Sequence, residues 1–330
     1  MKNIGIIGTG KKIPSKKIDN VFISSKLKID SNWIIEKTGI KTRYFIKDEE
    51  NISTLSYEAS KIAIKDAGID IKQIDLIIAC TFSSEYRFPG LAVKINQLLK
   101  VSKSGCFDLY ANCTGFQMAI DIAVEKINYN KNLNYVLVVG AAVQSPFINW
   151  KSPETSMYFG DGAGAAIVGR VPKGYGHLSS NIFTNSEVYE DVRLVGGGSK
   201  LHSKYYNKKN YDKFYYEMSG IETWKQVVTY QPIVIKRALK DAKLKLKDID
   251  FFIFHQANKK LIEYLMSKLK IPLNKTYCNV SKYGNTADAS LAIALDEALK
   301  KKKIGKGDNV IISGVGAGFI FGATIFKWYK

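Results

Sequence analysis

The stretch DLYANCTGFQMAIDIA, Asp108 to Ala123, places a cysteine where a thiol could do chemistry. Before Cys113 the chain reads as the end of a strand. After it, Phe116, Ile120, Ala123, Val124 and Ile127 recur at helical spacing. The thiol therefore falls near the first turn of a helix, where free backbone N–H groups and the macrodipole favour negative charge. That setting lowers a thiol's pKa and raises its nucleophilicity at neutral pH. By itself the stretch favours an inert buried cysteine. His255 comes straight off the apolar run FFIF and is either a satisfied core histidine or a placed catalytic group. Asn285, in SKYGNTADAS, reads alone as a turn and a helix start. Together, a thiol at a helix start and two polar side chains at strand-to-loop transitions make a chemically sensible set for nucleophilic catalysis.

The elements that must position these residues alternate between strand-like and helix-like. NIGIIGTG reads as a strand, SYEASKIAIKDAG as an amphipathic helix stopped by Gly68, and DLIIACTFS as a strand buried on both faces. GLAVKINQLLK is a helix, YVLVVGAAV a buried strand, and GDGAGAAIVGR a glycine-rich turn into a strand. The order then repeats: helix QPIVIKRALKDAKL, strand DIDFFIFHQAN, helices KKLIEYLMSKLK and ASLAIALDEALKKKK, and a closing glycine-rich hairpin. This predicts a duplicated α/β unit with halves 1–172 and 173–330. Residues 185–215 are polar and aperiodic and read as a long functional loop.

Composition narrows the class. The chain has 330 residues, 46% of them hydrophobic, enough for a large core. Cys80, Cys106, Cys113 and Cys278 form no CxxC pair, and His177, His202 and His255 are far apart. No metal site and no disulfide framework is expected, and the cysteine usage suits a reducing cytosol. The net charge is +19, but only five of the 49 basic residues are arginine and the lysines are scattered. That argues against a nucleic-acid reader, which leans on arginine's fork, and leaves an acidic protein partner or a phosphorylated ligand. The opening segment reads as a first strand, not a leader, and Val310–Phe326 as two strands, not a membrane span. GIIGTGKK, GDGAGA and GVGAGF lack nucleotide-loop spacing and are read as turns that let backbones pack closely.

The motifs ANCTGF, FHQAN and YGNT, in this order, resemble the three catalytic motifs of the β-ketoacyl-acyl-carrier-protein synthase III family of the thiolase superfamily. The resemblance runs end to end through IGIIGTGKKIP, WIIEKTGIKTR, FGDGAGAA and GVGAGFIFGA. It implies an αβαβα five-layer fold of two similar halves, a homodimer, and no cofactor. It implies that Cys113 is acylated from acyl-CoA or another acyl thioester. His255 and Asn285 then donate to the carbonyl of a malonyl thioester as it loses CO₂, and the carbanion attacks the acyl-cysteine. The backbone N–H groups of Cys113 and Ala317 would form the oxyanion hole. Trp33 matches the residue that stacks on the adenine of coenzyme A, with Lys37 and Pro153 where arginines are usual. Phe88 matches a residue that crosses to the partner's acyl pocket, and Phe159, Met218 and Trp224 match pocket-lining positions. Lys225, Lys259, Lys260 and Lys268 match the docking surface for the acyl carrier protein. Asp288 stands where the family usually has a small apolar residue; it is read either as an acid in a helix's first turn or as a reader of a polar or cationic acyl group.

Other functions are weighed against this one. Within the fold, Cys113 could pass its acyl group to an alcohol or amine, but keeping both His255 and Asn285 favours condensation. A cysteine protease is disfavoured because ANCTGF lacks the local signature of the papain class. Neither nucleic acid nor membrane is expected as a partner.

Overall fold

The computed structural model of the chain describes residues 3–101 and 103–330, so Met1 and Lys2 of the opening segment lie outside the described residues. Two mixed sheets are built from β1 (Ile4–Lys12), β2 (Leu76–Cys80), β3 (Gly105–Leu109), β4 (Val136–Ala142), β5 (Gly162–Arg170), β6 (Gly176–Thr184), β7 (Phe251–Phe254), β8 (Asn309–Gly316) and β9 (Ile320–Lys327). The first sheet runs β1-β5-β4-β2-β3 and the second β7-β8-β9-β6. In the first, β2 is parallel to β3 and β4, while β5 is antiparallel to β4 and β1. The second repeats the pattern: β7 is parallel to β8, and β9 is antiparallel to β8 and β6. One parallel bridge, Phe252 to Thr276, stands beside β7 where β3 stands beside β2, so the fifth strand of the second sheet is reduced to a single bridge.

The helices that matter for the site are α1 (Ser31–Thr38), α2 (Ile52–Ala67), α3 (Leu91–Leu99), α4 (Gly115–Tyr129), α5 (Gly220–Asp241), α6 (Lys259–Lys268) and α7 (Ser290–Lys300). They complete five layers. Helices α2 and α3 cover the outer face of the first sheet, α4 and α7 lie between the sheets, and α5 and α6 cover the outer face of the second. The middle layer follows from sequence. The periodic set Phe116, Ile120, Ala123, Val124 and Ile127 of α4 is buried, and α7 opens with the unbroken buried run Leu291 to Leu295. A helix apolar on every side belongs between two sheets.

Helix α5 differs from the sequence reading. QPIVIKRALKDAKL reads as a helix from Gln231, yet the helix begins at Gly220 and carries Pro232 in its interior. Proline has no N–H, so the carbonyl four residues back, on Val228, loses its helical donor. The Lys268 ammonium of α6 supplies one at 2.7 Å. Lys268→Met, which keeps the stem, is expected to lower stability by about 1 kcal/mol, the net worth of one such bond. In a Pro232→Ala background, where the N–H returns, denaturant titration should show that loss shrink. Strict additivity of the two changes would refute the pairing.

The ends of the chain are knitted together. Thr9 Oγ1 of β1 donates to Asp296 Oδ1 of α7 at 3.0 Å, and the Lys11 ammonium pairs with Glu297. The Lys330 ammonium donates to the Ile7 carbonyl at 2.5 Å. Burial pushes the Glu297 carboxyl up, but hydrogen bonds from Lys11, Tyr283 and Asn279 outweigh it and hold the group at about 2.

Candidate active site

Two short turns face each other where the halves meet. Asn112–Thr114 forms a 3-10 turn that runs into α4, and Ala287–Ala289 forms one that runs into α7. Each opens on a non-glycine residue in the left-handed region, Asn112 at φ 48° and Ala287 at φ 43°. The two turns are counterparts in the duplicated plan, and they put Cys113 and Asp288 at corresponding positions. They pack against one another, and Gly140 of β4 lets the second come close: a Cβ there would lie 2.2 Å from the Asp288 carbonyl oxygen.

Cys113 keeps partial access to solvent but is surrounded by protein. Burial pushes its thiol up, the Asp288 carboxyl pushes it further, and its own backbone N–H pulls the other way. The low pKa expected from a helix start is therefore not found: the N-terminal effect is present, but burial outweighs it. Among the described residues the backbone N–H groups of Cys113 and Ala317 donate to no protein acceptor. Asn112 Nδ2 donates to the Ala317 carbonyl at 3.0 Å, and Thr114 Oγ1 to the Ile320 carbonyl at 3.0 Å, which ties the cysteine turn to the β8–β9 hairpin. Ala317 has no positive φ, so alanine fits where glycine is usual.

His255 is buried at the end of β7. Its backbone N–H donates to the Ser313 carbonyl at 3.0 Å, and its Nδ1 lies 2.5 Å from Ser290 Oγ. Burial lowers its pKa to about 3, so the imidazole is neutral at physiological pH. With Nδ1 engaged by the serine, Nε2 faces no protein partner among the described residues. Asn285 is fixed by its backbone, which donates to the Tyr158 carbonyl at 2.8 Å and accepts from Gly160 N–H at 2.9 Å and Gln144 Nε2 at 2.6 Å. The turn before it needs Gly284, whose φ is 68° and whose Cβ would strike the Tyr158 carbonyl at 2.6 Å. Asn285 Oδ1 accepts from Ala287 N–H at 2.9 Å, which leaves Nδ2 as a donor without a protein partner among the described residues. In the tautomer in which Nδ1 accepts from the Ser290 hydroxyl, Nε2 carries the proton, and the arrangement then holds a thiol, two neutral donors and two free backbone N–H groups around the seam.

The other positions sort by place. Phe159 and Met218 join one cluster with Tyr216, whose ring lies 4.7 Å from that of Phe159. Trp224 belongs to a different cluster, against Tyr264 of α6 at 5.5 Å. Trp33 and Lys37 share one face of α1, with the ammonium 6.0 Å from the indole centroid. Phe88 is 86% exposed. Lys225 pairs with Glu222, and Lys259 and Lys260 with Glu263. Lys268 is held on the Val228 carbonyl and acts there as a staple between helices. Sequence reasoning missed Gln144 and Ser290, which carry no signal because amides and serines are common at such positions.

Asp288 is 1% exposed, and neither carboxyl oxygen has a hydrogen-bond partner. Burial raises it to about 7; its own N–H and that of Phe82 offset part of this without reaching hydrogen-bond geometry. Asp288 does stand in the first turn that leads into α7, but that turn is covered by β4 and the cysteine turn. An unfolded aspartate titrates near about 3.9. Between about pH 4 and pH 7 the unfolded chain releases this proton and the folded one keeps it, so stability falls as pH rises. Asp288→Asn should raise the melting temperature more at pH 7 than at pH 4. An equal gain at both would refute the burial argument.

Residues 107–186 match the family described as 3-oxoacyl-[acyl-carrier-protein (ACP)] synthase III, and residues 239–328 its C-terminal part. The chain is 38% identical to the beta-ketoacyl-[acyl-carrier-protein] synthase III of Fusobacterium nucleatum, covering 99% of each chain. It is 36% identical to that of Clostridioides difficile, covering 98% of each. Among solved structures it superposes on 3-oxoacyl-[acyl-carrier-protein] synthase III from Aquifex aeolicus with TM-score 0.90 and 33% identity, over 98% of this chain and 100% of that one. It also superposes on the priming beta-ketosynthase of the R1128 polyketide pathway with TM-score 0.92 and 27% identity, over 100% and 97%.

Proposed function

Because the chain belongs to the 3-oxoacyl-[acyl-carrier-protein] synthase III family, we propose that it joins an acyl group to a malonyl thioester by decarboxylative condensation. The observation that carries this is the pair of unpartnered donors, His255 Nε2 and Asn285 Nδ2, set at the same seam as the Cys113 turn. Cys113 attacks the acyl thioester, the oxyanion rests on the N–H groups of Cys113 and Ala317, and the departing thiol takes the proton. A malonyl thioester then binds with its carbonyl on His255 and Asn285. Loss of CO₂ leaves an enolate whose carbon attacks the acyl-cysteine; the 3-oxoacyl thioester forms and the Cys113 sulfur is released. Acyl transfer to an alcohol or amine needs no enolate and gives these two donors nothing to do. Intact-mass spectrometry with a panel of acyl-CoA and acyl-carrier thioesters tests the reading: the adduct should map to Cys113, and malonyl thioester should discharge it as a 3-oxoacyl product.

The working form is read as a homodimer of chains with halves 1–172 and 173–330. Support comes from the outer edge of β3, which no strand covers among the described residues, and from exposed Phe88 and Tyr110. The four free cysteines support a reducing cytosol, and among the described residues no helix is long and apolar enough to cross a membrane. Phe159 and Met218 are assigned to the acyl pocket, Trp33 and Lys37 to the thioester's carrier end, and Trp224 to the wall between α5 and α6. For carrier docking, α1 packs beside α6, and the Lys259 stem covers Gly39 at the end of α1. Reversing the charge of Lys259 and Lys260 together should raise KM for a carrier-bound substrate severalfold and leave a small pantetheine thioester nearly unaffected, because surface charge acts on encounter. Equal effects on both substrates would remove the docking role.

A further inference from the structure

Asn285 donates from a thinly held piece of chain. It meets the segment from Tyr158 to Gly160 through a single parallel bridge, with its N–H on the Tyr158 carbonyl at 2.8 Å and its carbonyl taking the Gly160 N–H at 2.9 Å. Among the described residues no further ladder pair extends that bridge. Gly284 precedes Asn285 and Gly160 lies across from it, so neither neighbour brings a side chain to hold it, and glycine gives the backbone the most freedom to move.

Gln144 adds the third fastening. Its side chain is buried, at 1% exposure, and Nε2 lies 2.6 Å from the Asn285 carbonyl and 2.7 Å from the Gly160 carbonyl. A primary amide has two N–H hydrogens, so one goes to each strand of the bridge. An oxygen in that place would face two acceptors, and the network therefore assigns the nitrogen to it. On the other side, Oε1 lies 3.4 Å from the Tyr216 hydroxyl. The base of the side chain is fixed as well. The N–H groups of Gln144 and Ser145 donate to Asp161 Oδ1 at 2.7 and 2.9 Å, and Oδ2 takes the Ser145 hydroxyl at 2.6 Å and the Ile46 N–H at 2.9 Å.

What this clip holds is direction. Asn285 Oδ1 is committed to the Ala287 N–H, so Nδ2 points where the backbone at 285 aims it. We propose that Gln144 is a positioning residue for condensation: it clips the Asn285 backbone to the Tyr158–Gly160 segment and so aims Nδ2 at the malonyl carbonyl. The proposal rests on the reading of Asn285 as a donor to that carbonyl.

Gln144→Met keeps the length of the side chain and removes both donors. Release of CO₂ from a malonyl thioester and adduct formation on Cys113 are measured separately. Displacing a reacting group by about 1 Å costs about 10²-fold, so a loosened Asn285 should slow release by at least about tenfold. Acylation uses the backbone N–H groups of the other turn and should change by less than about twofold. In an Asn285→Ala background the same substitution should also cost release less than about twofold, because a residue that acts through another loses its effect with it. Gln144→Asn, which keeps an amide on a stem one methylene shorter, supplies the same comparison if the methionine variant does not fold. Equal slowing of both steps, or the same loss of release with and without the Asn285 side chain, overturns the proposal and leaves Gln144 a part of the fold alone. Unchanged release overturns it too. If Asn285→Ala itself leaves release untouched, the donor reading of Asn285 fails, and the inference falls with it.

Discussion

Cys113→Ala is expected to carry no acyl adduct after incubation with any thioester that modifies the wild type, whereas Cys80, Cys106 and Cys278 substituted by serine should still be acylated at position 113. Resting acidity does not make this distinction, since burial raises all four thiols, Cys278 to about 11. Position does. Cys80 is fully buried inside β2, Cys106 sits on the edge strand bonded to Ser104, and Cys113 stands on a turn tied through Asn112 to Ala317, where the N–H groups of Cys113 and Ala317 donate to no protein acceptor among the described residues. Condensation should fall by several orders of magnitude in Cys113→Ala, because removing a nucleophile leaves only binding and oxyanion stabilisation. An adduct that persists in Cys113→Ala would sink the mechanism.

Removing His255 or Asn285 should be the next largest loss. Each alanine variant deletes one donor to the developing enolate, and loss of a single oxyanion donor costs about 10²–10³ in rate. The fall should appear in malonyl decarboxylation and be much smaller in acylation of Cys113, which uses the backbone N–H groups instead. A pH profile adds a separate check. With the imidazole pushed down to about 3, the neutral donor persists at every pH above that value, so decarboxylation should show no inflection near about 6.5, where an ordinary histidine titrates. Variants that lose acylation but decarboxylate normally would show that the roles are wrongly assigned.

The parts of this molecule legible in sequence are those where one force dominates. The middle helices announce themselves through periodicity or an unbroken apolar run. The strands β2, β4 and β7 are short apolar runs with turn signals, as strands covered on both faces must be. The glycine stop at Gly68 takes φ 68° as its position requires. What stayed hidden depends on tertiary placement. Helix α1, the preceding helix Asn20–Leu27 and the ribbon Lys16–Asp19 with Thr42–Phe45 are short, half-exposed and only weakly patterned. Strand β6 alternates buried and open residues irregularly. The turns of α5 before Gln231 stayed hidden, and nothing local says that a lysine thirty-six residues after Pro232 will fill the missing bond. At the site, the three motifs pointed to Cys113, His255 and Asn285 as candidates, but the state of the thiol and the isolation of Asp288 follow from burial, which no local pattern encodes.

The fastening of β1 to α7 sets an order of events during synthesis. Of the described elements strand β1 is made earliest, yet Thr9 Oγ1 and the Lys11 ammonium find their partners only at Asp296 and Glu297, and the Ile7 carbonyl finds its lysine at Lys330. At about 5–20 residues per second, that wait is roughly 15 to 60 s. Through that interval β1 can pair with β5 and pack one face on α2, but Thr9 Oγ1, Lys11 and its inner face lack the partners that α7 supplies. The first half can gather α2 and α3 onto its sheet as it emerges, but the central layer closes only once α7 is out. A chain stalled or cut before α7 would therefore display the inner face of the first sheet to chaperones and proteases.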